Sequence, residues 1–118
     1  MNFDDAIQAH SAWKMKLTLY IAKPDKSLDH NVVCKDNVCD LGKWIYSDGE
    51  KNLASDNEFK KLKKNHADFH LEAGSIIKRA DAKENVSEEI MLGSNSKFSK
   101  LSLEVVTSLM AMKRIYGK

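Results

Sequence analysis

Three of the four histidines in this chain of 118 residues stand in apolar stripes rather than on wet faces. Over residues 3–22, Phe3, Ala6, Ile7, Trp13, Leu17, Tyr20 and Ile21 recur largely at three- and four-residue steps, the stripe of an amphipathic helix. His10 precedes Trp13 by three residues and Leu17 by seven, so it lies on that stripe. Over residues 56–83, Phe59, Leu62, Phe69, Ala73, Ile76 and Ala80 follow the same spacing, and His66 fills the position otherwise missing from the series. His70 is one turn further on, so its imidazole leaves the same side of the helix as that of His66. A buried imidazole with unpaired nitrogens costs roughly a few kcal/mol. Three such rings facing one core predict a shared partner.

The remaining punctuation predicts an all-α bundle of four to five helices. Pro24 closes the first helix, because the residue before a proline avoids the helical region. Residues 25–37 read as a polar loop in which Asp36 or Asn37 caps a short second helix running to about Tyr46, with Ser47-Asp-Gly49 ending it. Ser55 and Glu58 form a capping-box signature that opens the long helix. A further helical stretch is expected over 87–92, broken or only bent at Gly93, and a last amphipathic helix over 97–116 carries Phe98, Leu101, Val105, Leu109 and Met112. No repeat, low-complexity run or sustained strand-like alternation interrupts the pattern, and the length fits one domain over 1–118.

Composition removes several function classes. Nineteen basic and seventeen acidic side chains nearly balance, giving no electrostatic reason for nucleic acid or an anionic membrane as partner. Lys60, Lys61, Lys63 and Lys64 avoid the apolar seam and read as a solvated face. The start Met-Asn-Phe-Asp-Asp lacks the features of a signal peptide, and no segment approaches the ~20 apolar residues of a membrane span. The expected location is the cytosol, where Cys34 and Cys39 are disposed to metal or redox chemistry rather than to a structural disulfide.

Cys39 falls at the start of the second helix, where free amides and the helix dipole are expected to favour its thiolate. Three imidazole nitrogens from His10, His66 and His70 with one Cys39 sulfur make a tetrahedral set suited to zinc. Asp40, Asp68 and Glu72 are each close enough in sequence to a ligand to receive a second ring N–H, and the sequence does not choose among them. His30 lies outside both stripes and reads as an exposed, unliganded ring; Cys34 reads as a free thiol, with a resolving role for an oxidised Cys39 as the alternative. Trp13 and Trp44 read as core aromatics.

At this point the sequence resembles the chemoreceptor zinc-binding (CZB) domain of bacterial cytoplasmic chemoreceptors and of zinc-controlled diguanylate cyclases. The resemblance rests on His10-Ser-Ala-Trp13-Lys14, Cys39-Asp-Leu-Gly42-Lys43-Trp44, His66-Ala-Asp-Phe69-His70 and Phe98-Ser-Lys-Leu-Ser102. It implies a helical bundle in which His10, Cys39, His66 and His70 hold zinc tightly and fill all four positions. It also implies a sensory or regulatory role in signal transduction or chemotaxis, and a homodimer; Leu103, Val106 and Met110 add apolar positions beside the last stripe. No cyclase motif or long heptad helix accompanies the domain, so the chain is free-standing or a piece of a longer receptor, with its output partner open.

Three function classes then compete. The first is a sensor in which zinc occupancy, or oxidation of a zinc-bound Cys39 thiolate, controls a partner or attached output. The second is a structural or dimerisation module whose zinc only supplies folding energy. A zinc hydrolase is disfavoured, because four protein ligands close the shell and Ala67 stands where an H-E-x-x-H enzyme has its glutamate. Paired Glu-x-x-His motifs and C-x-x-C-H are also missing, which argues against diiron and haem proteins.

Overall fold

The computed structural model describes residues 2–83, 93 and 95–116, and every element among them is helical. The first helix is divided into α1 (Phe3–Ser11) and α2 (Trp13–Ala22). Ala12 between them keeps helical dihedrals, donates to Gln8 O at 3.0 Å and accepts from Lys16 N–H at 3.1 Å, so the rod continues through the junction. Asn2 caps its start by accepting from Asp5 N–H, and the chain leaves the helix at Lys23, just before Pro24.

The segment read as a loop contains a one-turn helix, α3 (His30–Val33), capped by the Asp29 carboxylate, which accepts from Asn31 N–H at 2.9 Å. Four residues offer no periodicity to read, and so short a helix has little stability of its own. It lies against the long helix α6 (Asn57–Asp81), burying Val33.

The second helix also departs from expectation at both ends. Its N-cap is Cys39, not Asp36 or Asn37: α4 (Asp40–Trp44) begins behind the cysteine, whose Sγ accepts from Gly42 N–H at 3.4 Å. Ser47-Asp-Gly49 does not end it, because Gly49 keeps a helical φ of −61°, and the chain passes through a π-helical turn (Ile45–Gly49) into α5 (Glu50–Leu53). The Phe59 ring fills the space beside Gly49.

The cap of α6 is Asp56 rather than Ser55. The Asp56 carboxylate accepts from Phe59 N–H at 3.0 Å and also from the hydroxyl of Tyr116, near the end of the last helix, α7 (Lys97–Tyr116). Asp56→Ala removes both contacts and is expected to cost about 1 kcal/mol, read as a lower urea midpoint with unchanged m-value. The helix expected over 87–92 lies outside the described residues.

α6 is the spine of the bundle. It runs along α7, receives α2 and α3 on its flanks, and α1 closes onto α7. Leu17, Ile45, Phe59, Leu62, Phe69, Ile77, Val105, Leu109 and Met112 are sealed in the centre. Both tryptophans, expected in the core, are half-buried and pack against it: Trp44 is edge-on to Phe3 at 5.7 Å and to Phe59 at 5.9 Å, and Trp13 has Lys16 over its ring. Phe59→Ala should cost roughly 3–5 kcal/mol, since the ring supports α4, the π turn and α6 together; chemical denaturation measures this directly.

The lysine cluster lies on the outer face of α6, where Lys61, Lys63 and Lys64 pair with Glu58, Glu50 and Asp68. Among the described residues no helix is long and apolar enough to cross a membrane.

Candidate metal centre

α1 delivers His10, the cap of α4 delivers Cys39, and α6 delivers His66 and His70 from successive turns. Their donor atoms all lie within 4.8 Å of one another. The three rings are sealed from solvent, with exposures of 2%, 0% and 3% for His10, His66 and His70, while Cys39 is half-buried. His66 Nε2 is central: it lies 3.1 Å from His10 Nε2, 3.1 Å from His70 Nε2 and 3.3 Å from Cys39 Sγ. Cys39 Sγ is 3.7 Å from His70 Nε2. Phe69 walls the site, 5.5 Å from the ring of His10 and 5.6 Å from that of His70.

Two ring protons are assigned by their partners. His10 Nδ1 is 2.8 Å from Ala6 O, and His70 Nδ1 is 2.9 Å from Val33 O. A carbonyl only accepts, so both Nδ1 atoms carry hydrogen, and both neutral rings turn an Nε2 lone pair toward His66. These carbonyls take the place of Asp40, Asp68 and Glu72, the three carboxylates considered from sequence; Asp68 instead pairs with Lys64 at 2.8 Å. His66 Nδ1 is buried without a hydrogen-bond partner among the described residues.

Burial favours the neutral form of all three rings and lowers their pKa values. His66 falls to about 2, with the His70 and His10 rings adding to the effect. Burial also pushes the Cys39 thiol up, outweighing the amide donors of Gly42 and Leu41. This corrects the expectation that the helix start alone favours the thiolate, since desolvation of a charged sulfur exceeds the help from a few amides.

The donor set fits zinc. Tetrahedral coordination with Zn–N of about 2.05 Å and Zn–S of about 2.3 Å requires N···N edges of about 3.3 Å and N···S edges of about 3.6 Å. Four of the six separations here are 3.1 Å twice, then 3.3 and 3.7 Å, and the other two do not exceed 4.8 Å, so binding draws His10 inward. Without metal a proton on His66 Nε2 or on the Cys39 thiol serves only one of these acceptors at a time, whereas one cation between the four donor atoms serves them all. His30 and Cys34 stand outside the cluster: His30 opens α3, and the Cys34 thiol lies 3.7 Å from Asn31 O.

A small helical bundle with a buried three-histidine, one-cysteine cluster defines a metal-binding module rather than a catalytic fold. The model of the chemoreceptor zinc-binding domain matches residues 10–77, more than half of the chain and including all four donors. The chain belongs to that family, and the family and the donor set together specify zinc and a zinc-dependent sensory or regulatory role. No curated protein and no solved structure matches the chain.

Sequence reasoning missed the backbone acceptors. Ala6 O lies four residues before His10 and was accessible from helical spacing, whereas Val33 O belongs to a helix whose formation depends on α6.

Proposed function

We propose that His10, Cys39, His66 and His70 hold one zinc ion in a closed shell within a single domain spanning 1–118. Its occupancy, or the oxidation state of Cys39, sets the output of a partner or attached module in the cytoplasm. The observation that carries the ligand assignment is the convergence of the His10 and His70 Nε2 lone pairs, fixed by the Ala6 and Val33 carbonyls, on His66 Nε2 beside Cys39 Sγ. Bound zinc would supply the positive charge that keeps Cys39 a thiolate despite its burial.

The chain's own residues divide the task. The rings are sealed and hold the ion, while Cys39 is the one donor residue that is only half-buried, and it lines a surface cleft with Trp13 and Val38 through which solvent-borne reagents would approach. Oxidation of Sγ to the sulfenic acid by a peroxide- or hypochlorite-class oxidant removes a ligand and weakens the site. Exposure of Leu103 at 67% and Met110 at 55% on α7 supports the homodimer expected from sequence.

Elemental analysis of protein purified without added metal tests the assignment, run beside Cys39→Ala and a mild oxidant. About one zinc per chain is expected, weakened in the variant and released by oxidant with a change in helicity or oligomeric state. Zinc-free wild-type protein would sink the ligand set. Zinc that neither oxidant nor physiological chelators disturb would leave a purely structural or dimerising metal.

A further inference from the structure

We propose that Gly74 is a positioning residue for the metal centre: by admitting α3 onto α6, it holds Val33 O against His70 Nδ1 and thereby aims His70 Nε2. This rests on reading His70 as a zinc ligand.

Gly74 sits inside a helix of 25 residues, where glycine is less favourable than alanine. The close approach of α3 accounts for it. A Cβ at Gly74 would lie 2.6 Å from Cys34 Cβ, 3.0 Å from Cys34 Cα and 3.1 Å from Cys34 N. Two of these are backbone atoms, so no side-chain rotation relieves the overlap, and α3 must move away.

Gly74 is one turn beyond His70, on the same face of α6, so the approach that brings Cys34 onto Gly74 also brings Val33 O to 2.9 Å from His70 Nδ1. α3 transmits displacement as a unit, because Asp29 caps it and the bonds Val33 N–H to Asp29 O at 2.9 Å and Cys34 N–H to His30 O at 3.1 Å close its turn. A shift at Cys34 therefore withdraws the Val33 carbonyl. The His70 ring then loses the contact that fixes its tautomer and rotation. Zinc affinity thus depends on a helix that supplies no ligand.

The test is zinc competition against a chromophoric chelator, using the full chain. Gly74→Ala should bind zinc about 10–100-fold more weakly, the usual effect of losing an outer partner of a metal-bound histidine. In the zinc-loaded wild type, 15N NMR should show a solvent-protected His70 Nδ1–H resonance, and the variant should lack it. Metal-free Gly74→Ala should unfold at a somewhat lower urea concentration, since displacing α3 uncovers Val33, so the protected proton and the zinc affinity of the folded variant are the readouts that separate positioning from mere destabilisation.

A folded Gly74→Ala with wild-type affinity and the protected proton intact overturns the proposal. If that variant does not fold, Asp29→Ala decides: it frays α3 from an exposed position, and weaker zinc binding supports the proposal while unchanged binding overturns it. His70→Ala separates the two levels. If it binds zinc as wild type does, the ligand reading itself fails; if it weakens binding while Gly74→Ala does not, only the role of Gly74 fails.

Discussion

Stripping zinc from the protein is expected to lower its thermal midpoint by on the order of 15 °C, from linkage of about 4 kcal/mol when free zinc is a thousandfold above its Kd and about 4 °C per kcal/mol for a chain of this size. The effect should be large because the four donors come from α1, the cap of α4 and two turns of α6, so one ion ties together elements far apart in sequence. Without it, the His10 and His70 lone pairs face His66 Nε2 at 3.1 Å inside the core. Differential scanning calorimetry with and without a strong chelator measures the shift. A change of only a degree or two would mean that the cluster is no metal site, or that the apo core rearranges to relieve itself.

His66→Leu should have unequal effects on the two forms. Zinc affinity should fall by more than the ~10–100-fold lost with an outer partner, since the donor closest to all the others is removed. The metal-free variant, by contrast, should lie within about 1 kcal/mol of metal-free wild type, because one unpaired buried atom is exchanged for another of comparable cost. His66 Nδ1 has no partner among the described residues, and this holds for either tautomer: as a donor it lacks an acceptor, and as an acceptor it lacks a donor. Leucine removes that cost but also takes away the Nε2 partner that His10 and His70 face at 3.1 Å. Urea titrations of both proteins in chelator decide it; an apo His66→Leu far less stable than apo wild type would show that the imidazole makes contacts worth keeping without metal.

Which parts of the site were legible follows from their range along the chain. His10, His66 and His70 could be placed in the core because helical period alone assigns a residue to a face, and all three are buried. Ala6 O lay within the same reach, one turn before His10. The cap of the second helix did not, because Asp36 and Asn37 carry the usual capping groups, while a sulfur can accept the same amide bond. Cys39 therefore both starts α4 and faces the histidines.

The amino-acid sequence by itself determined the helical class, the two long amphipathic rods and the inward direction of three imidazoles, since each follows from residue spacing within one element. Tertiary structure alone decided that α3 exists, that Val33 O reaches His70 across 37 residues, that Gly74 must lack a side chain, and that His66 Nδ1 is left without a partner among the described residues. The physical reason is the same in each case. A four-residue helix cannot stand alone, so its position, the acceptor it offers and the space it takes exist only once α6 is there to receive it.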